Sequence, residues 1–280
     1  MDNRIRDNRS SEGIQYRENY ADSLIDNLRA KIDRLCCQKD IITVIEGKKE
    51  ELKLAKEAAD DAGGWLSDIE GSVLYALAQK CAGRGVIVEI GSYKGKSTIY
   101  LGKGSRAGKN VKIYAIDPHR EPFQRKEDAT GTYEKFKKNI ENAQLRGLVN
   151  PIVGTSSEAA FLISEPCELL VIDGCHKYDY VKNDFDTWFP KVLDGGTIAF
   201  HDTLSGGPRK VVKESLYRSK MFRKVGFAGS LTFGEKTEAN SILEKLKNRY
   251  VYVIGSFYAF IIARNDELRR LLSVLKQSSV

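Results

Sequence analysis

The sequence predicts an α/β protein built on one mostly parallel sheet with helices on both faces. Three observations carry this. From about residue 64 onward, short runs rich in Val and Ile alternate with helix-length segments, which is the pattern of βαβ units. The strongest runs, at 86–90, 113–116, 169–172 and 197–200, are almost wholly apolar, as strands covered on both faces must be. Successive runs also end in glycine, acid, serine or histidine, where an open parallel sheet places its ligand crevice.

Residues 1–62 are charged and helical in pattern, with Leu24, Leu28, Ile32 and Leu35 on one face, then Ile42, Ile45 and Leu52. So narrow a stripe cannot form a core, and it is expected to pack on the main domain or to join subunits of a homo-oligomer. Gly63-Gly64 ends this helical extension. A helix is expected at 74–82, a strand at 86–90, a helix opening at 97–101 and a strand at 113–116. Tyr133, Phe136 and Ile140 mark the next helix, followed by strands at 151–153 and 169–172. Val181, Phe185, Trp188 and Phe189 stripe another helix before the strand at 197–200. A helix at 211–219 and strands near 222–227 and 231–233 complete a domain assigned to 63–235. The remainder, 236–280, is a C-terminal extension expected to pack on the core or on a partner subunit. It ends in the helical 267–276, and its apolar run 250–263 has no period to separate helix from strand.

Composition narrows the function classes. The net charge of +7 is spread among 45 basic and 38 acidic residues, with no basic arm that would suit nucleic acid. The run 250–263 has 14 residues between Arg249 and Arg264, short of the roughly 20 that cross a bilayer. The polar N-terminus shows no signal peptide, and five scattered cysteines suggest a reducing cytoplasm.

The first strand leads into Glu89-Ile-Gly91-Ser92-Tyr93-Lys94-Gly95-Lys96-Ser97. Asp117 ends the second strand, Gly154-Thr155-Ser156-Ser157 the third, Asp173 the fourth and His201-Asp202 the fifth. The first loop is one residue short of a phosphate-binding P-loop, and Tyr93 stands where a dinucleotide fingerprint needs its middle glycine. What remains is a tight glycine turn with an acid one strand later, suited to a nucleoside without phosphates. The three histidines, His119, His176 and His201, all follow strand ends. Cys175, Tyr178 and Trp188 read as packing residues.

These motifs, with VIDGCHKYDYVKNDFDTWFPKVLDGGTIAFHDT above all, resemble the Rossmann-like S-adenosylmethionine-dependent methyltransferases. The likeness is nearest to the metal-dependent macrocin and mycinamicin sugar O-methyltransferases and more distant to catechol O-methyltransferase. The resemblance spans about residues 64–235 and implies a seven-stranded, mostly parallel sheet. It implies that Glu89, Gly91, Ser92, Tyr93, Gly95 and Ser97 hold the methionine end of S-adenosylmethionine. Asp117 would bind the ribose, and Ser156 and Ser157 the adenine. Asp173 would serve both cofactor and metal, with His201 and Asp202 completing the ligands of a divalent ion, magnesium first and manganese or another next. His176 would be the general base. His201 departs from the acidic residue of these relatives, and imidazole favours softer metals; it could equally flank the ligands or carry a proton.

The resulting expectation is metal-assisted O-methylation of a small polyhydroxylated acceptor, sugar-like or a natural product. The rivals are a metal-independent methyltransferase acting on another atom, a non-catalytic cofactor-binding scaffold and, weakest, a nicotinamide oxidoreductase.

Overall fold

The computed structural model describes residues 23, 25–120 and 131–277, which leaves Leu24 of the N-terminal stripe outside the described residues. Its centre is a seven-stranded sheet in the order β3-β2-β1-β4-β5-β7-β6. Strands β1 (Val86–Ile90), β2 (Ile113–Asp117), β3 (Val149–Val153), β4 (Cys167–Ile172) and β5 (Val192–Phe200) are parallel. β7 (Leu231–Lys236) runs antiparallel to β5, and β6 (Phe222–Ala228) antiparallel to β7. This is the Rossmann-like α/β architecture expected from the sequence.

β1 shows why the apolar runs are continuous. Ile87 faces one core cluster, while Val86, Val88 and Ile90 face the other, so both sides of the strand must be apolar. Helices α4 (Asp68–Lys80), α5 (Lys96–Ala107) and α6 (Thr132–Asn142) line the first cluster. Helices α7 (Ser156–Leu162), α8 (Tyr178–Trp188) and α9 (Gly206–Val212) line the second. α9 continues through Lys213–Tyr217 as a wider π turn. The order reverses between β1 and β4, where the Asp173 amide donates to the Ile90 carbonyl at 2.8 Å. That reversal opens the ligand crevice of such a sheet.

α4 starts at Asp68, ahead of the expected 74–82, because Ser67 and Glu70 form a capping box in which the Ser67 amide donates to Glu70 Oε2 at 2.8 Å. The N-terminal helices are α1 (25–36), α2 (Lys39–Gly47) and α3 (Lys49–Asp60). Ile41, Leu52, Ala55 and Ala59 are buried in the core shared with α4 and α5. Of the expected stripe on α1, Ile32 packs on the main domain, while Leu28 and Leu35 are 40% and 62% exposed in the single chain. Asp33 points inward instead and accepts the Gly229 amide at 2.8 Å, which turns Ile32 and Cys36 toward Phe227 and Tyr258.

The run 250–263 lies within α10 (Ile242–Gln277), a helix of 36 residues. Asn248 docks it on β6, accepting the Val225 amide at 3.3 Å and donating to the Phe222 carbonyl at 2.8 Å. Among the described residues no helix is long and apolar enough to cross a membrane.

Candidate functional site

Glu89, at the end of β1, is fully buried. Thr98 donates to its Oε2 at 2.5 Å, whereas Oε1 is buried and receives no aligned hydrogen bond. Burial pushes this carboxyl up to about 7, against the hydroxyls of Ser97 and Thr98 and with help from the charges of Asp173 and Asp117. The Ser92 hydroxyl is likewise buried and without a partner. Two orphaned polar atoms at the carboxyl end of β1 fit a ligand that brings its own hydrogen-bonding groups.

Gly91 has φ +91°, and a Cβ there would fall 2.1 Å from the Asp173 carbonyl oxygen, so only glycine lets this loop pass the end of β4. Gly95, at φ +92°, caps α5 against the Phe136 ring. Tyr93 and His119 also have positive φ, and both donate their amides to the Asp117 carboxylate, at 2.9 and 2.7 Å. One carboxylate thus holds two left-handed loops. It offers about four lone-pair sites in all, so it can still accept ribose hydroxyls.

Ser156 and Ser157 open α7. The Ser156 hydroxyl donates to the buried Asp184, and Asn183 donates to the Ser157 hydroxyl at 3.1 Å. Burial pushes Asp184 up to about 6, with the Ser156 hydrogen bond acting the other way. Trp188 is fully buried and donates to the Ser156 carbonyl.

The ends of β4 and β5 meet. The Nδ1 atom of His201 lies 3.0 Å from Asp173 Oδ1 and 3.5 Å from Asp202 Oδ2. The candidate ligand atoms of Asp173, His201 and Asp202 all fall within 4.8 Å of one another. Such a group could hold a metal ion, and the 3.0 Å approach of Nδ1 to Asp173 Oδ1 is also that of a hydrogen bond. Asp202 sits at φ +55°, a strained conformation of the kind that collects at working sites. His176 places Nε2 3.1 Å from Asp202 Oδ2 and is more than half exposed.

Sequence reasoning missed Glu70. From α4 it reaches across so that its Oε2 lies 3.3 Å from His201 Nε2, and its Oε1 accepts the Ser230 amide and hydroxyl at 2.6 and 2.7 Å. Its sequence signal, Ser67-x-x-Glu70, reads as a helix cap and gives no hint of the reach. Burial alone would lower His201, but Asp173, Asp202 and Glu70 hold its proton far above the usual histidine range. The same contacts keep Glu70 down at about 2 against burial, and hold Asp202 low. Burial raises Asp173, with His201 opposing.

His119 is not part of this cluster. It bonds Thr132 at 3.1 Å and packs on Tyr133 and Phe136, and burial lowers it. Tyr178 bonds Glu214 at 2.8 Å, and Cys175 is a free, half-buried thiol.

Residues 88–203 match the family model described as a methyltransferase domain. The fold is similar to that of the O-methyltransferase NovP, at 15% identity over 71% of this chain and 97% of NovP, with a TM-score of 0.53. It is also similar to a protein from Corynebacterium glutamicum, at 18% identity over 70% of this chain and 94% of that one, with a TM-score of 0.52. Residues 88–203 are thus similar to a methyltransferase domain, set within this α/β fold.

Proposed function

We propose that this chain is an S-adenosylmethionine-dependent O-methyltransferase that uses a divalent metal on a small polyhydroxylated acceptor. The observation that carries the reading is the convergence of Asp173, His201 and Asp202 at the mouth of the crevice holding Glu89 and Asp117. The orphaned Glu89 Oε1 and Ser92 Oγ suit the charged methionine end of the cofactor, and Asp117 the ribose. When bound, the cofactor supplies an electrophilic methyl group and the metal supplies Lewis acidity toward the acceptor oxygen. The chain's own work is positioning and proton removal.

Asp173, His201 and Asp202 would hold the ion, with the Glu70 carboxylate 3.3 Å from the far nitrogen of His201, where it would orient the ring. Asp202 orients His176 through Nε2, which leaves Nδ1 to take the acceptor's proton. The methyltransferase domain is assigned to 63–235, flanked by 1–62 and 236–280, in a cytoplasmic homo-oligomer.

A second reading rests on geometry: His201 Nδ1 lies 3.0 Å from Asp173 Oδ1, the distance of a hydrogen bond, an arrangement that a metal-independent methyltransferase would also use. One experiment separates the two: labelled S-adenosylmethionine offered with hydroxylated acceptors, with magnesium or manganese and then with a chelator. Oxygen methylation lost in chelator and restored by metal is the expected result. Transfer that ignores the chelator would establish the second reading, and absence of cofactor binding would sink both.

Asp117→Ala is expected to weaken cofactor binding about 10- to 100-fold, the value of a charge-assisted hydrogen bond. Unchanged affinity by calorimetry would remove Asp117 from the site.

A further inference from the structure

The strongest unexplained feature outside the crevice is the outer face of α10. Leu243, Leu246, Tyr250, Val253, Phe257 and Phe260 follow one another at spacings of three and four residues, and every one is more than half exposed. Alternating threes and fours are the a and d positions of a heptad repeat, a seam shaped for another helix. The opposite face of α10 is already occupied: Asn248, Tyr258 and Ala259 are buried, and Val251, Ile254 and Ile262 pack toward α1 and β6. The helix therefore cannot roll the seam onto its own domain. Two apolar faces also explain why 250–263 carries no readable period.

We infer that two copies of this chain associate through this seam, with their α10 helices antiparallel about a two-fold axis passing between residues 251 and 252. In this register Leu243 meets Phe260 of the partner subunit, Leu246 meets Phe257 of the partner subunit, and Tyr250 meets Val253 of the partner subunit. Each layer thus sets one aromatic against one aliphatic residue, the large-on-small interdigitation of a filled core, and the surface is self-complementary, as a two-fold interface requires. Charge selects the same arrangement. Lys245, Lys247 and Arg249 cluster at one end of the described seam, and 250–263 bears no charge. Antiparallel helices lay the basic end over the uncharged one. Parallel helices would stack Lys247 and Arg249 on their own copies and pair Val253 with Val253 of the partner subunit beside two aromatic-on-aromatic layers. The six side chains offer roughly 700 Å² per chain at their exposure, close to the ~800 Å² per partner of a stable interface.

The test is sedimentation velocity on the full chain, compared with Val253→Glu/Phe257→Glu, whose positions are exposed in the single chain. The expected result is a wild-type dimer at micromolar concentration and a monomeric variant, at least tenfold weaker in association, with unchanged circular dichroism. A monomeric wild type at tens of micromolar would overturn the inference and reserve the seam for a different partner. A dimer that survives both substitutions would overturn it too, because the interface would lie elsewhere. Register is read by co-expressing Leu246→Cys and Phe257→Cys chains under mild oxidation, with wild type as the control for native thiols. A 246–257 cross-link between the two variants is expected; efficient 246–246 or 257–257 links would exclude the antiparallel register.

Discussion

Glu89→Gln is expected to stabilise the cofactor-free protein at pH 8 while weakening its hold on S-adenosylmethionine about 10- to 100-fold. Burial raises the Glu89 carboxyl from 4.5 to about 7. Below pH 4.5 the group is protonated in both folded and unfolded chains and contributes nothing. Between 4.5 and 7 the unfolded chain releases the proton first, so stability falls as pH rises and levels off above 7. The loss is on the order of 3 kcal/mol, and glutamine removes it. Denaturant titrations at pH 4 and pH 8 measure this directly: the two proteins should agree at pH 4, and the variant should be ahead at pH 8. If Glu89 holds the cofactor's amino group as proposed, binding selects the carboxylate, so binding at pH 6 should release a proton, visible by calorimetry in buffers of different ionisation heat. A variant that keeps its affinity and gains no stability would remove Glu89 from the binding site.

Substitutions at the ends of β4 and β5 are expected to separate into two kinds. Asp202→Ala should lose metal and acceptor binding together, leaving cofactor affinity largely intact, and Asp173→Ala should lose both and weaken cofactor binding as well. His176→Ala should retain metal and cofactor but lose about 10²- to 10⁴-fold in rate, the usual share of a general base. Its residual rate should climb with pH, since the acceptor hydroxyl then ionises without help. A pH–rate profile of both proteins at saturating metal checks this. Wild-type rate in His176→Ala at neutral pH would refute the assignment of the base; His201, the next candidate, would first have to give up the proton that Asp173, Asp202 and Glu70 favour on its buried ring.

Much of the fold was legible because parallel strands buried on both faces need long apolar runs, as β4 has from Leu169 to Ile172. The convergence of Asp117, Asp173 and Asp202 was legible for a related reason: parallel strands present all their carboxyl ends at one edge. What escaped reading came from elsewhere in the chain. Glu70 and Asp184 sit on helices, where their spacing looks like a cap and a polar face, and only the tertiary fold turns them inward. The rotation of α1 depends on one buried carboxylate, Asp33, which hydrophobic periodicity counts as a polar position and passes over. α10 was ambiguous as helix or strand because apolar residues on two opposite faces erase the periodic signal that either face alone would give.

The close passage of Gly91 over the Asp173 carbonyl has a consequence for how such a protein could be altered. On the proposed reading, cofactor and metal would lie on either side of one backbone wall, where a Cβ at Gly91 would already meet the Asp173 carbonyl. Displacing the β4 end by even an ångström to admit a bulkier acceptor or a larger ion would press directly on the turn that receives the cofactor. Changes of acceptor or ion are therefore accommodated away from this wall rather than at it. The wall itself behaves as a fixed hinge pin about which the rest of the site can vary.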